Sequence, residues 1–141
     1  MKRIVLIVLL GLSLFSCKKT EEEEEKKKYD LYQPSEMAAL MEYMYEFNRQ
    51  VKENIVSGKN LGSFSNEFFK IYTAKLTDKF ERDENFTKYA KLYLDAEMNI
   101  FNPVLTIPVE DRFNKMVNLC ISCHQTSCTG PIPRIEKLLI P

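Results

Sequence analysis

Five residues near the C-terminus constrain this chain more than any other feature of its sequence. Cys120 and Cys123 are separated by two residues, and His124, the only histidine, follows directly. Two thiols at this spacing can add to the two vinyl groups of a haem, and the adjacent imidazole can then reach the haem iron. The motif therefore predicts one haem c per chain, with Cys120 and Cys123 as its covalent thioether attachments and His124 as the proximal iron ligand.

Two other interpretations of these cysteines are a redox-active C-x-x-C pair and half of a zinc site. Four Cys and one His in 141 residues would assemble the full five-residue pattern by chance in only about one sequence in a thousand. A structural zinc site usually needs four Cys or His ligands, and the chain offers few beyond the motif. We therefore favour the haem interpretation over both alternatives.

The N-terminus has the three regions of an export signal. The first residues are positively charged, residues 4–10 are apolar, and a short final region ends at Cys17. Residues 14–17, Leu-Phe-Ser-Cys, resemble the lipobox of bacterial lipoproteins, which implies cleavage before Cys17 and attachment of lipid to its sulfur. An ordinary signal peptide and an uncleaved anchor are the alternatives, although residues 4–17 are fewer than the about 20 that a membrane-spanning helix needs.

Residues 18–33 are predicted to form a charged, flexible tether between this signal and one folded domain at residues 34–141. Residues 18–28 hold five Lys and five Glu but no apolar residue, so burial cannot repay the entropy of ordering them. The acidic run after Cys17 resembles the surface-export signals of some Gram-negative lipoproteins. Because bacteria attach haem c outside the cytoplasm, both motifs predict a lipid-anchored protein of the outer membrane, on its periplasmic face or at the cell surface.

The charge balance of the chain bears on its partners. The sequence has 20 basic and 20 acidic side chains, and removal of the signal takes away Lys2 and Arg3 but no acid. A nearly neutral body lacks the basic surface with which proteins bind nucleic acid. No nucleic-acid partner is therefore predicted.

From Pro34 onward the apolar residues recur at helical spacing, and four helices are predicted. The first covers residues 35–56, with Ser35 as its N-cap and Gly58 as its stop. Its apolar stripe consists of Met37, Leu40, Met41, Met44, Phe47, Val51 and Ile55. The second helix ends at residues 77–80. Its predicted buried face consists of Phe68, Phe69, Tyr72 and Leu76.

The third predicted helix covers residues 84–101 and ends before Pro103, because proline cannot continue the helical hydrogen bonds. The fourth starts at Pro108, carries the haem motif and ends between residues 125 and 129. Short connections between four helices favour an all-α, antiparallel up-down-up-down four-helix bundle. The apolar tail at residues 130–141 is expected to pack across the haem edge or the bundle surface.

A haem motif on the last helix of a four-helix bundle resembles the cytochrome c′ family, the class II c-type cytochromes. The resemblance covers residues 35–128, but only Cys120, Cys123 and His124 match specific family residues. The chain departs from the family after the motif, where an aromatic and a basic residue are common and this sequence reads Gln-Thr-Ser-Cys-Thr-Gly. The resemblance implies a homodimer as one state of the chain. It also implies an alternative function, a five-coordinate haem that binds NO or CO as a scavenger or sensor.

The first helix holds the candidates for the sixth iron ligand. In an antiparallel bundle its N-terminal end lies beside the C-terminal end of helix four, and its first half carries Met37, Met41 and Met44. Met44 or Met41 is the predicted sixth ligand, on the distal side of the haem, and core packing is the alternative role of these methionines. Met98 lies too far along its helix, and Met116 lies on the same helix as the proximal histidine.

The predicted function is electron transfer by the haem, with redox partner proteins docking transiently at its exposed edge. No paired carboxylates, activated nucleophile or phosphate-binding loop stand out, and no distal His or Arg is positioned for a peroxidase, so the chain is predicted not to be an enzyme. Cys128 is the one thiol left without a role. A buried inert thiol is the favoured interpretation, with intermolecular pairing or redox and ligand chemistry as alternatives.

Overall fold

The computed structural model describes residues 33–141, and every regular element in this part of the chain is helical. Three long α-helices form the body: α1 (Glu36–Val56), α2 (Glu84–Ile100) and α3 (Val109–Ser127). Three short elements complete it: a 3₁₀ helix (Asn66–Tyr72), α4 (Ile132–Ile135) and a final 3₁₀ turn (Glu136–Leu138). The predicted all-α class is confirmed.

Several predictions concern residues that precede this part of the chain. The signal at residues 1–17 and its lipidated Cys17 lie outside the described residues. Residues 18–32, which make up nearly all of the charged tether, also lie outside the described residues. Within residues 33–141, no helix is both long and apolar enough to cross a membrane.

The sequence determines both ends of α1. The Ser35 side chain accepts a hydrogen bond from the Ala38 backbone N–H (3.1 Å), which satisfies one of the free donors of the first turn. Beyond Val56 the chain turns at Gly58, whose φ of 64° lies in the left-handed region that glycine tolerates best. The predicted range of α1 is confirmed to within one residue.

The second predicted helix is wrong in its type and in part of its buried face. Residues Asn66–Tyr72 form a 3₁₀ helix rather than an α-helix. The buried residues of this helix and of the bend that follows it are spaced by three, which is the period of a 3₁₀ helix. They are Phe68, Ile71 and Ala74. Phe69 and Tyr72, which were predicted to be buried, are 45% and 41% exposed, and Leu76 is half-buried beyond the helix.

The α2 and α3 helices follow the predicted bounds closely and pack against each other. Asp83 caps α2 through its side chain. The α3 helix starts one residue later than predicted, because Pro108 has an extended ψ of 141° and occupies the N-cap. Arg112 donates hydrogen bonds to the carbonyl oxygens of Ile100 and Asn102 (3.1 and 2.9 Å), and these bonds satisfy the C-terminal end of α2.

The hydrophobic core lies between α1, α2, α3 and the first 3₁₀ helix. Its most deeply buried apolar side chains are Phe68, Ile100, Phe113, Met116 and Val117. The Phe68 ring makes edge-on contacts with the rings of Phe47 and Phe64, at centroid distances of 5.0 and 5.7 Å. Such aromatic pairs add to the stabilisation that burial provides, so Phe68 anchors the 3₁₀ helix to α1.

The C-terminal tail packs onto the helices, as the sequence predicts. Leu138 is buried, with 4% of its surface exposed. The Asn114 amide of α3 pairs with the backbone N–H and carbonyl of Ile140 (2.8 and 2.9 Å). The Lys52 ammonium of α1 donates to the Leu139 carbonyl (2.6 Å). The tail is thus held by two different helices.

Candidate functional site

Cys120, Cys123 and His124 lie near the C-terminal end of α3 and share one of its faces, because residues three and four positions apart are neighbours on a helix surface. All three side chains line one half-open cavity of about 330 Å³. Pockets for small molecules and cofactors typically measure about 300–1,000 Å³. The three residues predicted to hold a haem are therefore brought together at one site.

The end of α3 orients the His124 ring. Its Nδ1 lies 2.9 Å from the carbonyl oxygen of Cys128, and because a carbonyl oxygen can only accept, Nδ1 carries the proton and donates. The Cys128 N–H donates in turn to the His124 carbonyl (3.0 Å), which closes the last turn. This arrangement leaves Nε2 with a free lone pair, as a metal-bound histidine requires.

The cysteine side chains of the motif are protonated thiols rather than reactive thiolates. Burial raises the pKa of Cys120, and the nearby Glu97 carboxyl raises it further. Burial also raises the pKa of Cys123. Redox-active C-x-x-C pairs have lowered thiol pKa values, so both shifts run in the direction opposite to that of a redox pair. Within the described residues, all three cysteines, including Cys128, are free thiols.

Another part of the cavity wall comes from the methionines of α1. Met37, Met41 and Met44 line the same cavity as the haem motif. Met37 and Met44 are buried, and Met41 is half-buried. Met98 is 39% exposed, and neither it nor Met116 lines the cavity. The candidates for the sixth ligand thus share a cavity with the proximal histidine, and the two dismissed methionines do not.

The rest of the wall is mostly apolar and comes from separate parts of the fold. The first 3₁₀ helix and its following loop contribute Ile71, Leu76 and Phe80. The α2 helix contributes Phe86, Tyr89, Ala90 and Tyr93, and the tail contributes Ile135 and Leu138. The N-terminal halves of α1 and α2 and the C-terminal half of α3 therefore meet at this cavity.

Arg134 is the one Lys or Arg side chain that lines the cavity within the described part of the chain. Its guanidinium forms a bidentate ion pair with Glu42 of α1 and lies 3.8 Å over the ring of Tyr45. The ion pair lowers the pKa of Glu42. The sequence gives no signal for this cluster, because no local spacing rule connects α1 with residues about 90 positions away.

A buried polar cluster stands beside the cavity and was not predicted. Asn48 and Glu97 are 2% and 0% exposed. The Asn48 amide donates to the Met44 carbonyl (3.0 Å) and to the Tyr93 hydroxyl (3.4 Å), and burial raises the pKa of Glu97 to about 8. A signal for both was present in the sequence. Each stands at helical spacing within an apolar stripe, four residues after Met44 and Tyr93 respectively.

Comparison with models of protein families, with curated proteins and with solved structures finds no match to this chain. The resemblance to the cytochrome c′ family therefore depends on Cys120, Cys123 and His124 and on the helical architecture. A functional proposal for this chain depends in turn on the chemistry and geometry of the cavity.

Proposed function

We propose that this protein is a c-type cytochrome that carries electrons with one covalently attached haem. One observation carries the proposal: Cys120, Cys123 and His124 line the same cavity, and the Cys128 carbonyl orients the imidazole with Nε2 free. Two thiols and one oriented imidazole are the groups through which a protein attaches haem c. The architecture we propose is an antiparallel, cytochrome c′-like up-down-up-down bundle whose second member is the short 3₁₀ segment.

The residues of the cavity fit a haem in their chemistry. Cys120 and Cys123 would form the thioether bonds, and His124 would bind the iron through Nε2. Arg134 would pair with a haem propionate, because it is a cation at the cavity and guanidinium groups bind carboxylates well. A bound haem supplies an iron that cycles between the ferrous and ferric states. The apolar walls would exclude water from a bound haem, and this burial together with its ligands would set the reduction potential.

We propose Met44 or Met41 as the sixth iron ligand, since both line the cavity that holds His124. An iron bound by His and Met has no open position for a substrate. The proposed role is therefore electron transfer and not enzymatic catalysis. Redox partner proteins would dock at the open side of the cavity through a small, transient interface.

The alternative function is the binding of NO or CO by a five-coordinate haem. The observation that favours it is the position of Met37 and Met44 in the core stripe of α1, beside Leu40. Methionines in such a stripe can serve for packing alone. If none of them binds the iron, an apolar cavity wall faces an open sixth position, which suits a small apolar gas.

We also propose that the protein is exported and held at a bacterial outer membrane by a lipid on Cys17. The support is in the sequence: residues 1–17 have the regions of an export signal, and haem c is attached outside the cytoplasm in bacteria. The charged residues 18–33 would then separate the haem domain from the bilayer. Both the periplasmic face and the cell surface agree with this proposal.

Haem attachment is the first test. The chain is produced together with the bacterial machinery that attaches haem c and is stained for haem on a denaturing gel. We expect staining of the wild type and of a Cys128→Ala control, and no staining of a Cys120→Ala/Cys123→Ala double variant. Staining of the double variant would refute covalent attachment.

Optical spectra then separate the two functions. They are recorded for the ferric and ferrous protein, with and without CO and NO. A ferric Met–iron charge-transfer band without gas binding supports the electron carrier. A high-spin spectrum with ready gas binding supports the alternative.

A further inference from the structure

Glu97 is a fully buried carboxyl group that the proposed function does not use. Its side chain is 0% exposed, and neither carboxyl oxygen has a hydrogen-bond partner. It is the one Asp or Glu that is buried among residues 33–141. An unpartnered carboxylate in the core is costly, whereas the neutral acid is tolerated much better. A buried acid therefore holds its proton at pH values at which an exposed carboxyl group would release it.

The groups that face Glu97 come from each of the three long helices. Tyr93 stands one turn before it on α2, Asn48 faces it from α1, and Cys120 faces it from α3. Desolvation by burial raises the pKa of Glu97 to about 8, and it outweighs Tyr93 and Asn48, whose polar groups lie close enough to lower this pKa although neither makes a hydrogen bond to the carboxyl. Burial also raises the pKa values of Tyr93 and Cys120, so both are neutral when Glu97 titrates. Within the described residues, no Lys or Arg is a cause of the shift.

Glu97 is electrically coupled to the point at which a haem would be attached. Its carboxyl raises the pKa of the Cys120 thiol by charge repulsion, and Cys120 lines the cavity. Tyr93 and Asn48, which lower the pKa of Glu97, also line the cavity. The α2 helix that carries Glu97 provides none of the candidate iron ligands.

We propose that Glu97 is a redox-linked proton site, which binds one proton from solvent when the haem gains one electron and releases it when the electron leaves. The inference rests on the proposed function. In this step a redox partner protein gives one electron to the ferric iron, which becomes ferrous. The solvent gives one proton to the Glu97 carboxylate, which becomes a carboxylic acid. The physical reason is Coulombic: reduction removes one positive charge from the haem, so the nearby carboxylate loses attraction and holds its proton more tightly.

The test is the pH dependence of the haem reduction potential, measured by spectroelectrochemical titration of the haem-loaded full chain. In the wild type we expect the potential to fall as pH rises around 8, with a limiting slope of about 59 mV per pH unit, the value for one proton per electron. Glu97→Gln keeps the shape of the side chain but cannot titrate, and its potential should not vary with pH in this range. Glu84→Gln is the matched control, because Glu84 is an exposed residue of the same helix, and it should keep the wild-type slope.

Redox-difference infrared spectra provide a second readout. Reduction of the wild type should produce the carbonyl stretch of a protonated carboxylic acid, and Glu97→Asp should shift this band. If Glu97→Gln does not fold, the wild-type band and its shift in Glu97→Asp decide the question instead.

Three outcomes overturn the inference. A haem-loaded wild type whose potential is independent of pH overturns it and leaves the proposed function intact. A slope that persists in Glu97→Gln assigns the proton to another group, such as a haem propionate. A wild type that attaches no haem overturns the proposed function and this inference with it.

Discussion

His124 owes its orientation to a residue outside the haem motif. The acceptor of its Nδ1 proton is the backbone carbonyl of Cys128, which is the C-cap residue of α3. A backbone carbonyl accepts whatever side chain its residue carries. The contribution of Cys128 to the site is therefore made by its backbone, and its thiol is dispensable for orienting the imidazole. This is the reason that Cys128→Ala serves as the control for haem attachment.

The sixth ligand is tested by replacing Met44 and Met41 with Ala in separate variants. We expect one variant to lose the ferric Met–iron band and to bind CO, because removal of the thioether opens the sixth position. Optical spectra of the haem-loaded protein provide the measurement. Met98→Ala is the control, since Met98 is 39% exposed and does not line the cavity. Wild-type spectra in both test variants would exclude these two methionines as ligands.

The buried Glu97 makes the free energy of unfolding depend on pH. Its pKa is about 8 in the folded protein and about 4.3 in an unfolded chain, so the folded state holds the extra proton between these values. Stability is therefore greatest below the unfolded pKa, falls as pH rises, and levels off above the folded pKa. The whole effect is on the order of 5 kcal/mol at most.

Denaturant unfolding of the wild type and of Glu97→Gln at a series of pH values isolates this effect. The other carboxyl groups are common to both proteins, so the difference between the two stability curves reports on Glu97 alone. We expect Glu97→Gln to gain stability relative to the wild type as pH rises toward 8. Parallel curves would show that Glu97 has the same proton affinity in the folded and unfolded states.

At the scale of elements, the sequence predicts a helix well where its ends have chemical signals. The α1 helix has a capping serine at Ser35 and a left-handed glycine at Gly58, and its predicted range is correct. The segment from Phe68 to Ile71 has no comparable signal. Over two turns, apolar residues at spacings of three and four do not distinguish an α-helix from a 3₁₀ helix. In the folded chain the Phe68 ring of this segment packs against the rings of Phe47 and Phe64, and the sequence does not predict these contacts.

Some residues of the site can likewise be predicted from local sequence patterns, whereas others are brought together only by the tertiary fold. Cys120, Cys123 and His124 stand out in the sequence because their spacing is that of the haem c attachment motif. Glu97 is at core spacing but is charged, and charged residues are normally expected at the surface. The pairing of Arg134 with Glu42 is formed only in the folded chain. The Arg134–Glu42 pair could not be predicted because it depends on contact between distant segments, whereas the core position of Glu97 was signalled by its spacing from Tyr93.

The C-terminal tail is an element whose contribution to stability can be measured. Leu138 is 4% exposed, and Leu138→Ala should lower the free energy of unfolding by about 2–5 kcal/mol, the usual cost of truncating a buried leucine. Urea unfolding provides the measurement. Leu92→Ala is the matched control, since Leu92 is 39% exposed, and its effect should stay near 0.5 kcal/mol. Equal losses in the two variants would mean that the tail does not stabilise the fold.

At the scale of the whole molecule, the cavity brings together parts of the chain that are distant in the sequence. Its walls come from α1, α2, α3, the first 3₁₀ helix and the tail. A covalently attached haem would stay on the chain in both states, but only in the folded state would it contact all of these elements, and the apolar surface buried by those contacts would stabilise that state. Haem attachment would therefore complete the core at one end of the bundle as well as supply the redox centre.

The predicted membrane anchor belongs to the molecule as a whole, because it would determine where the proposed electron carrier can deliver electrons. Cys17→Ser removes the sulfur that would carry the lipid. We expect this variant to leave the membrane fraction, since the apolar contact of the acyl chains with the bilayer is lost. Haem staining of separated membrane and released fractions provides the measurement, and Cys128→Ser, which also replaces a thiol, should stay with the membranes. If Cys17→Ser still sediments with membranes while retaining haem, the lipid anchor is wrong, and residues 1–17 act as an uncleaved anchor instead.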